Sequence, residues 1–141
     1  MKLPVYACQK RLATIWMLGF VMLTLFLAVQ TVRNVYGTQT ARAWSWYVPT
    51  VVPTLSLILG AIVQEARKAQ ENITVDAFAY HVSAGFSIGY LFLILGTLLI
   101  QPLTAWSSLE LMNMSNFWLA PVQGFVGISL GAFFISRETP K

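Results

Sequence analysis

The chain is poor in charge: Asp, Glu, Lys and Arg together make up 10% of its 141 residues. A water-soluble domain carries about a quarter, because its surface must be wetted. It has one cysteine, Cys8, which excludes an intrachain disulfide, a Cys-x-x-Cys redox pair and a cysteine-based zinc site. It has one histidine, His81, too few for a bis-histidine haem or a multi-histidine metal centre. Gly-rich phosphate loops, Ser-His-Asp sets and clefts with paired carboxylates are also missing, so the sequence offers no catalytic residues, cofactor or metal. There is no internal repeat.

What is present is apolar: 57% of the residues are hydrophobic. They fall into four runs, approximately 12–32, 47–64, 77–100 and 117–135. A hydrocarbon core of about 30 Å needs roughly 20 helical residues. The first run follows Lys10 and Arg11 as a secretory signal would, but its apolar stretch is too long for one and no small-residue cleavage site follows. The runs lack the two-residue alternation of a barrel strand, and unpaired backbone amides are costly in lipid. The expected fold is therefore all-α: a polytopic integral membrane protein, one domain over 1–141, built as a four-transmembrane-helix bundle.

Capping signals refine this. Pro49 and Pro53 are expected near the start of the second helix, where missing N–H groups cost little. Asn72 or Thr74 should cap the third, with Asp76 in its first turn, and Ser115 or Asn116 the fourth. Ser107 and Glu110 have capping-box spacing, so a short separate helix is expected on the outer interface before the fourth span.

The nine basic residues form no stripe or arm, which argues against nucleic acid as a partner. With the N-terminus inside, Lys2, Lys10, Arg11, Arg67, Lys68, Arg137 and Lys141 lie inside, and only Arg33 and Arg42 outside. Seven against two satisfies the positive-inside rule and predicts cytoplasmic termini in a plasma or inner membrane. Trp44, Trp46, Trp106 and Trp118 fall at the expected outer boundary, where indole rings favour the interface.

Four features could carry function. No acidic or basic residue lies inside a run, which argues against proton-coupled antiport. His81, at the inner end of the third span, is an ionisable candidate; the plainer expectation is an interfacial histidine bonded to a nearby carbonyl or to water. Thr50, Thr54 and Gln64 fall near one face of the second span and are candidate lining for a pore or crevice. The alternative there is local, with hydroxyls satisfying carbonyls freed by the prolines. Gly85-x-x-x-Gly89 and Gly127-x-x-x-Gly131, the latter extended by Gly124, are small-residue patterns that admit close helix approach. The sequence leaves open whether the partner is within the chain or in a neighbour, with close packing of helices three and four the favoured expectation.

The stretch Glu65-Ala66-Arg67-Lys68-Ala69-Gln70-Glu71-Asn72 resembles the loop signature of four-helix membrane glutathione-using enzymes. It follows the second apolar run instead of the first, and its acidic residue is one position off. The reading taken is a solvated cytoplasmic turn.

A bundle with almost no extramembrane domain is expected to act through assembly. The leading expectation is a homo-oligomer forming a pore or channel-like path. The alternatives are a non-catalytic accessory subunit of a larger membrane complex and, third, a small membrane enzyme acting on a lipophilic substrate.

Overall fold

The computed structural model describes residues 2–65, 74–100, 103 and 106–134. The chain is built from four long helices: α1 (Val5–Val32), α2 (Thr40–Glu65), α3 (Ala77–Leu99) and α4 (Ser108–Phe134). Among the described residues three helical segments, Val5–Val32, Gly37–Ile62 and Ala77–Leu99, are long and apolar enough to cross a membrane. The solenoid of α1 extends beyond the apolar run because Lys10 and Arg11 are exposed and interrupt no packing. Two strands that the sequence reading did not foresee, β1 (Lys2–Pro4) and β2 (Thr74–Asp76), pair antiparallel with Leu3 opposite Val75. They tie the start of α1 to the start of α3.

Each helix buries one stripe at three- and four-residue steps, the spacing of a single helix face. On α1 the stripe is Leu12, Trp16, Gly19, Leu23 and Leu27; on α2 it includes Tyr47, Val51 and Ile58. Tyr90 and Ile94 of α3 and Val126 and Leu130 of α4 complete the centre. The opposite faces remain apolar and exposed, as with Leu18, Leu25, Phe92 and Ile128. A band of this kind suits lipid as the surrounding solvent. Trp16 and Tyr90 meet near the middle with ring centroids 6.1 Å apart.

The turn between α1 and α2 needs two left-handed residues, Asn34 at φ 57° and Gly37 at φ 53°. Asparagine tolerates that region and glycine enters it freely. The Gly37 carbonyl then accepts from Thr40 Oγ1 at 3.0 Å, where α2 starts.

Four expectations are corrected. The short interfacial helix and the helix expected as the fourth span are one continuous helix. Its Ser107–Glu110 capping box forms as expected, but nothing between Met112 and Asn116 breaks the backbone, and Met112 and Ser115 are drawn into the core. Ser115 and Asn116 are therefore interior to α4. Asp76 is itself the cap of α3, accepting from Phe78 N at 3.4 Å, in place of Asn72 or Thr74. Because α2 begins at Thr40, Pro49 and Pro53 stand mid-helix instead of near its start. Trp46 is buried, while Trp106 and Trp118 are exposed.

Candidate functional site

A proline inside a helix removes the N–H that would reach the carbonyl four residues back. Pro53 thus leaves the carbonyl of Pro49 without its helical donor. Two other helices reach this kink. Gln123 Nε2 of α4 donates to Pro49 O and to Thr50 O, both at 3.4 Å. Tyr90 OH of α3 donates to Thr50 O at 2.9 Å. Thr50 Oγ1 turns back on its own helix and donates to Trp46 O at 2.6 Å. Gln123 thus reaches the carbonyl that Pro53 leaves without its donor, while Tyr90 adds an inter-helix bond at Thr50 O, whose partner four residues on, Thr54, keeps its N–H.

Above the kink the indole of Trp46 donates to Ser115 Oγ at 3.1 Å, and that hydroxyl donates to Met112 O at 2.6 Å. These bonds join α2 to α4, and Trp46 and Met112 also form part of the wall of a crevice between the two helices. The cavity holds about 300 Å³ and is lined by Arg42, Thr50, Asn113, Asn116 and Gln123 among others, with Tyr90 contributing from α3. A second cavity of about 510 Å³ shares Arg42 and Asn113 and extends to Gln39 and Ser107.

At the rim, Glu110 accepts from Ser107 Oγ at 2.7 Å and from Ser107 N at 3.0 Å. Those bonds, the hydroxyl first, hold its carboxyl below the usual range. In the α1–α2 turn, burial pushes the Tyr36 phenol up to about 12, and its hydroxyl donates to Gln30 Oε1.

Thr50 and Thr54 are each 6% exposed and buried within the chain. The side chain of Gln64 lies outside the described residues, as do residues 66–73 with the Arg67–Lys68 pair. His81 is exposed and its Nδ1 lies 2.6 Å from Ala77 O, which requires that nitrogen to carry the proton. The edge of Tyr80 faces the imidazole at 5.4 Å. Among the described residues no three of His, Cys, Asp and Glu gather in a way that could hold a metal ion.

The glycines split. A methyl group added at Gly85, Gly89, Gly124 or Gly127 would meet no packed neighbour within 4 Å. Gly131 is buried. Helices α3 and α4 do pack on each other, but through serine: Ser83 Oγ donates to Ser129 O at 3.2 Å. The expected intrachain seam through Gly89 and Gly127 is not the one formed, because α3 turns Ser83, Ser87, Tyr90 and Ile94 inward and its glycines away. The glycine in close contact is Gly19 of α1, where an added methyl would lie 2.6 Å from Leu91 Cδ1. It stands alone at its spacing, and only its place in the Leu12–Leu27 stripe points to it. Sequence reasoning also passed over Asn113 and Asn116, and counted Arg42 only as an outer charge.

No protein-family model matches the chain, and no curated protein or solved structure matches it either.

Proposed function

We propose that this is a small self-associating integral membrane protein, crossing the bilayer four times with both termini cytoplasmic, whose work is assembly. The observation that carries the reading is the open glycine face of α3. Gly85 and Gly89 lie one helical turn apart with no packed neighbour among the described residues, and exposed Phe86, Ile88, Phe92 and Leu93 stand beside them on the helix. In lipid no hydrophobic effect drives helices together, so association relies on close backbone approach at such positions. The stacked rings of Phe86 and Phe125, 6.0 Å apart and each next in sequence to an open glycine, offer a rigid flank. Orientation rests on the seven-to-two distribution of basic residues.

A conducting path between subunits would need Thr50 and Thr54 to face out of the chain. Both are buried in it, beside an interior filled by Trp16, Tyr90, Ile58 and Ile94. Association without conduction is therefore the reading that goes further. A non-catalytic accessory role differs from it only in the identity of the docked helix.

The native mass of the full chain in lipid nanodiscs tests the proposal. Wild type should give a multiple of the 15.7 kDa chain mass. Gly89→Leu should give the single-chain mass with unchanged helical content. A wild-type chain that stays single at every protein-to-lipid ratio overturns self-association, and Gly89→Leu with wild-type mass overturns the assigned face.

A further inference from the structure

The crevice between α2 and α4 is absorbed by no part of the assembly reading, and its chemistry is one-sided. Arg42 is the only charged residue lining the roughly 300 Å³ cavity, and no carboxylate lines it among the described residues. The guanidinium makes one hydrogen bond, 3.3 Å from Nη1 to Gln39 Oε1. Five N–H donors in a planar fork match the paired oxygens of a phosphate group. The side-chain amides of Asn113 and Asn116 add neutral donors from the facing helix. The inner end is built from groups themselves almost fully buried, Tyr90 at 0% and Thr50 at 6% exposure. Arg42 and Thr50 are separated by eight residues of α2, so the crevice descends about 12 Å along the helix.

We propose that this crevice binds a phosphate-bearing anion, paired by Arg42 and hydrogen-bonded by Asn113 and Asn116. The inference rests on the membrane-spanning reading, which sets Arg42 at the level where lipid phosphates lie. Two sources share that chemistry, a phospholipid headgroup entering sideways and a free phosphate entering from the aqueous side. Glu110 lines the adjoining cavity, which Arg42 also lines, but its carboxylate is bonded to Ser107 at the start of α4 and does not line the crevice itself.

The full chain is floated with vesicles of phosphatidylcholine alone or with phosphatidylglycerol, then moved to nanodiscs of the same compositions. Native mass spectrometry counts retained phosphatidylglycerol, and inorganic phosphate is titrated into the phosphatidylcholine discs with unfolding temperature as readout. Wild type and Arg33→Gln should retain the lipid or respond to phosphate alike. Arg42→Gln should weaken that response roughly tenfold or more, as expected for loss of a charge-assisted pair, and Arg42→Lys should fall between. A response in the lipid arm supports the site and assigns the headgroup; one in the phosphate arm supports it and assigns the free anion. Equal responses from Arg42→Gln and wild type, or none in either arm, overturn the inference alone. A chain that floats with neither vesicle overturns the spanning reading and this inference with it.

Discussion

The two faces of α3 use small residues in opposite ways. Inward, Ser83 and Ser87 are buried, Ser83 is bonded to the backbone of α4, and the stripe continues into Tyr90 and Ile94. Outward, Gly85 and Gly89 face space that none of the described residues fills. Serine carries a hydroxyl that can bridge to a facing carbonyl, so it suits a seam closed within one chain. Glycine presents only backbone and suits a surface awaiting another helix. A small residue in a span is thus no indicator of where its partner lies; its phase relative to the buried stripe is.

The comparison can be broken at several points, beginning with the interior. Tyr90→Ala removes a fully buried ring from Trp16 and a donor from Thr50 O. It should cost about 3 kcal/mol or more in reversible unfolding from mild detergent. Tyr90→Phe, which removes the donor alone, should cost about 1 kcal/mol. Equal losses from the two would mean that the ring contributes nothing.

The next test sets one glycine against another. Gly19→Leu forces its side chain into Leu91 and should lose roughly 1–3 kcal/mol. Gly85→Ala places its methyl in open space and should leave chain stability unchanged, as read by thermal unfolding of the single-chain form. If Gly85→Ala were as damaging as Gly19→Leu, the outward face would be packed and the comparison would fail. Gln123→Leu should have a smaller effect, about 0.6 kcal/mol, because its bonds to the kinked α2 are long and such bonds in membranes contribute little on average.

The smallest effect concerns the start of α4. The Glu110 carboxyl is held below its ordinary value of 4.5, so its contribution is present above that pH and is lost as pH falls through the lowered value. Glu110→Gln keeps a side chain able to complete the capping box but cannot titrate. Hydrogen-exchange protection at the first turn of α4, taken relative to the intrinsic rate at each pH, should therefore fall on acidification in wild type and stay level in the variant. Identical profiles would detach the cap from Glu110.

Much of the architecture was legible because it depends on local composition. Continuous apolar runs mark helices regardless of their neighbours, and the Ser107–Glu110 spacing marks a helix start from four residues. Lengths were less legible. Helices α1 and α2 extend past their apolar runs, since exposed Lys10, Arg11 and Arg42 end an apolar run but are good helix formers. The continuity of α4 depended on Met112 and Ser115 finding Trp46 and the core, a contact across 69 residues for the Trp46–Ser115 bond. The crevice was half visible: the prolines and Thr50 stood out, while Gln123 could be matched to the freed Pro49 carbonyl, and Tyr90 to Thr50 O, only once three helices were in register. The glycine patterns were visible, but their direction was set by the buried stripe of α3.

Disulfide trapping tests the central claim, that the outward glycine face of α3 is where copies meet, most directly. In a Cys8→Ser background, cysteine is placed at Gly89 or, as a control, at Leu25, which is 61% exposed on α1. Mild oxidation in native membranes should convert the Gly89→Cys chain to dimers and leave Leu25→Cys monomeric. Dimers forming equally from both positions, or from Leu25→Cys alone, would contradict the account.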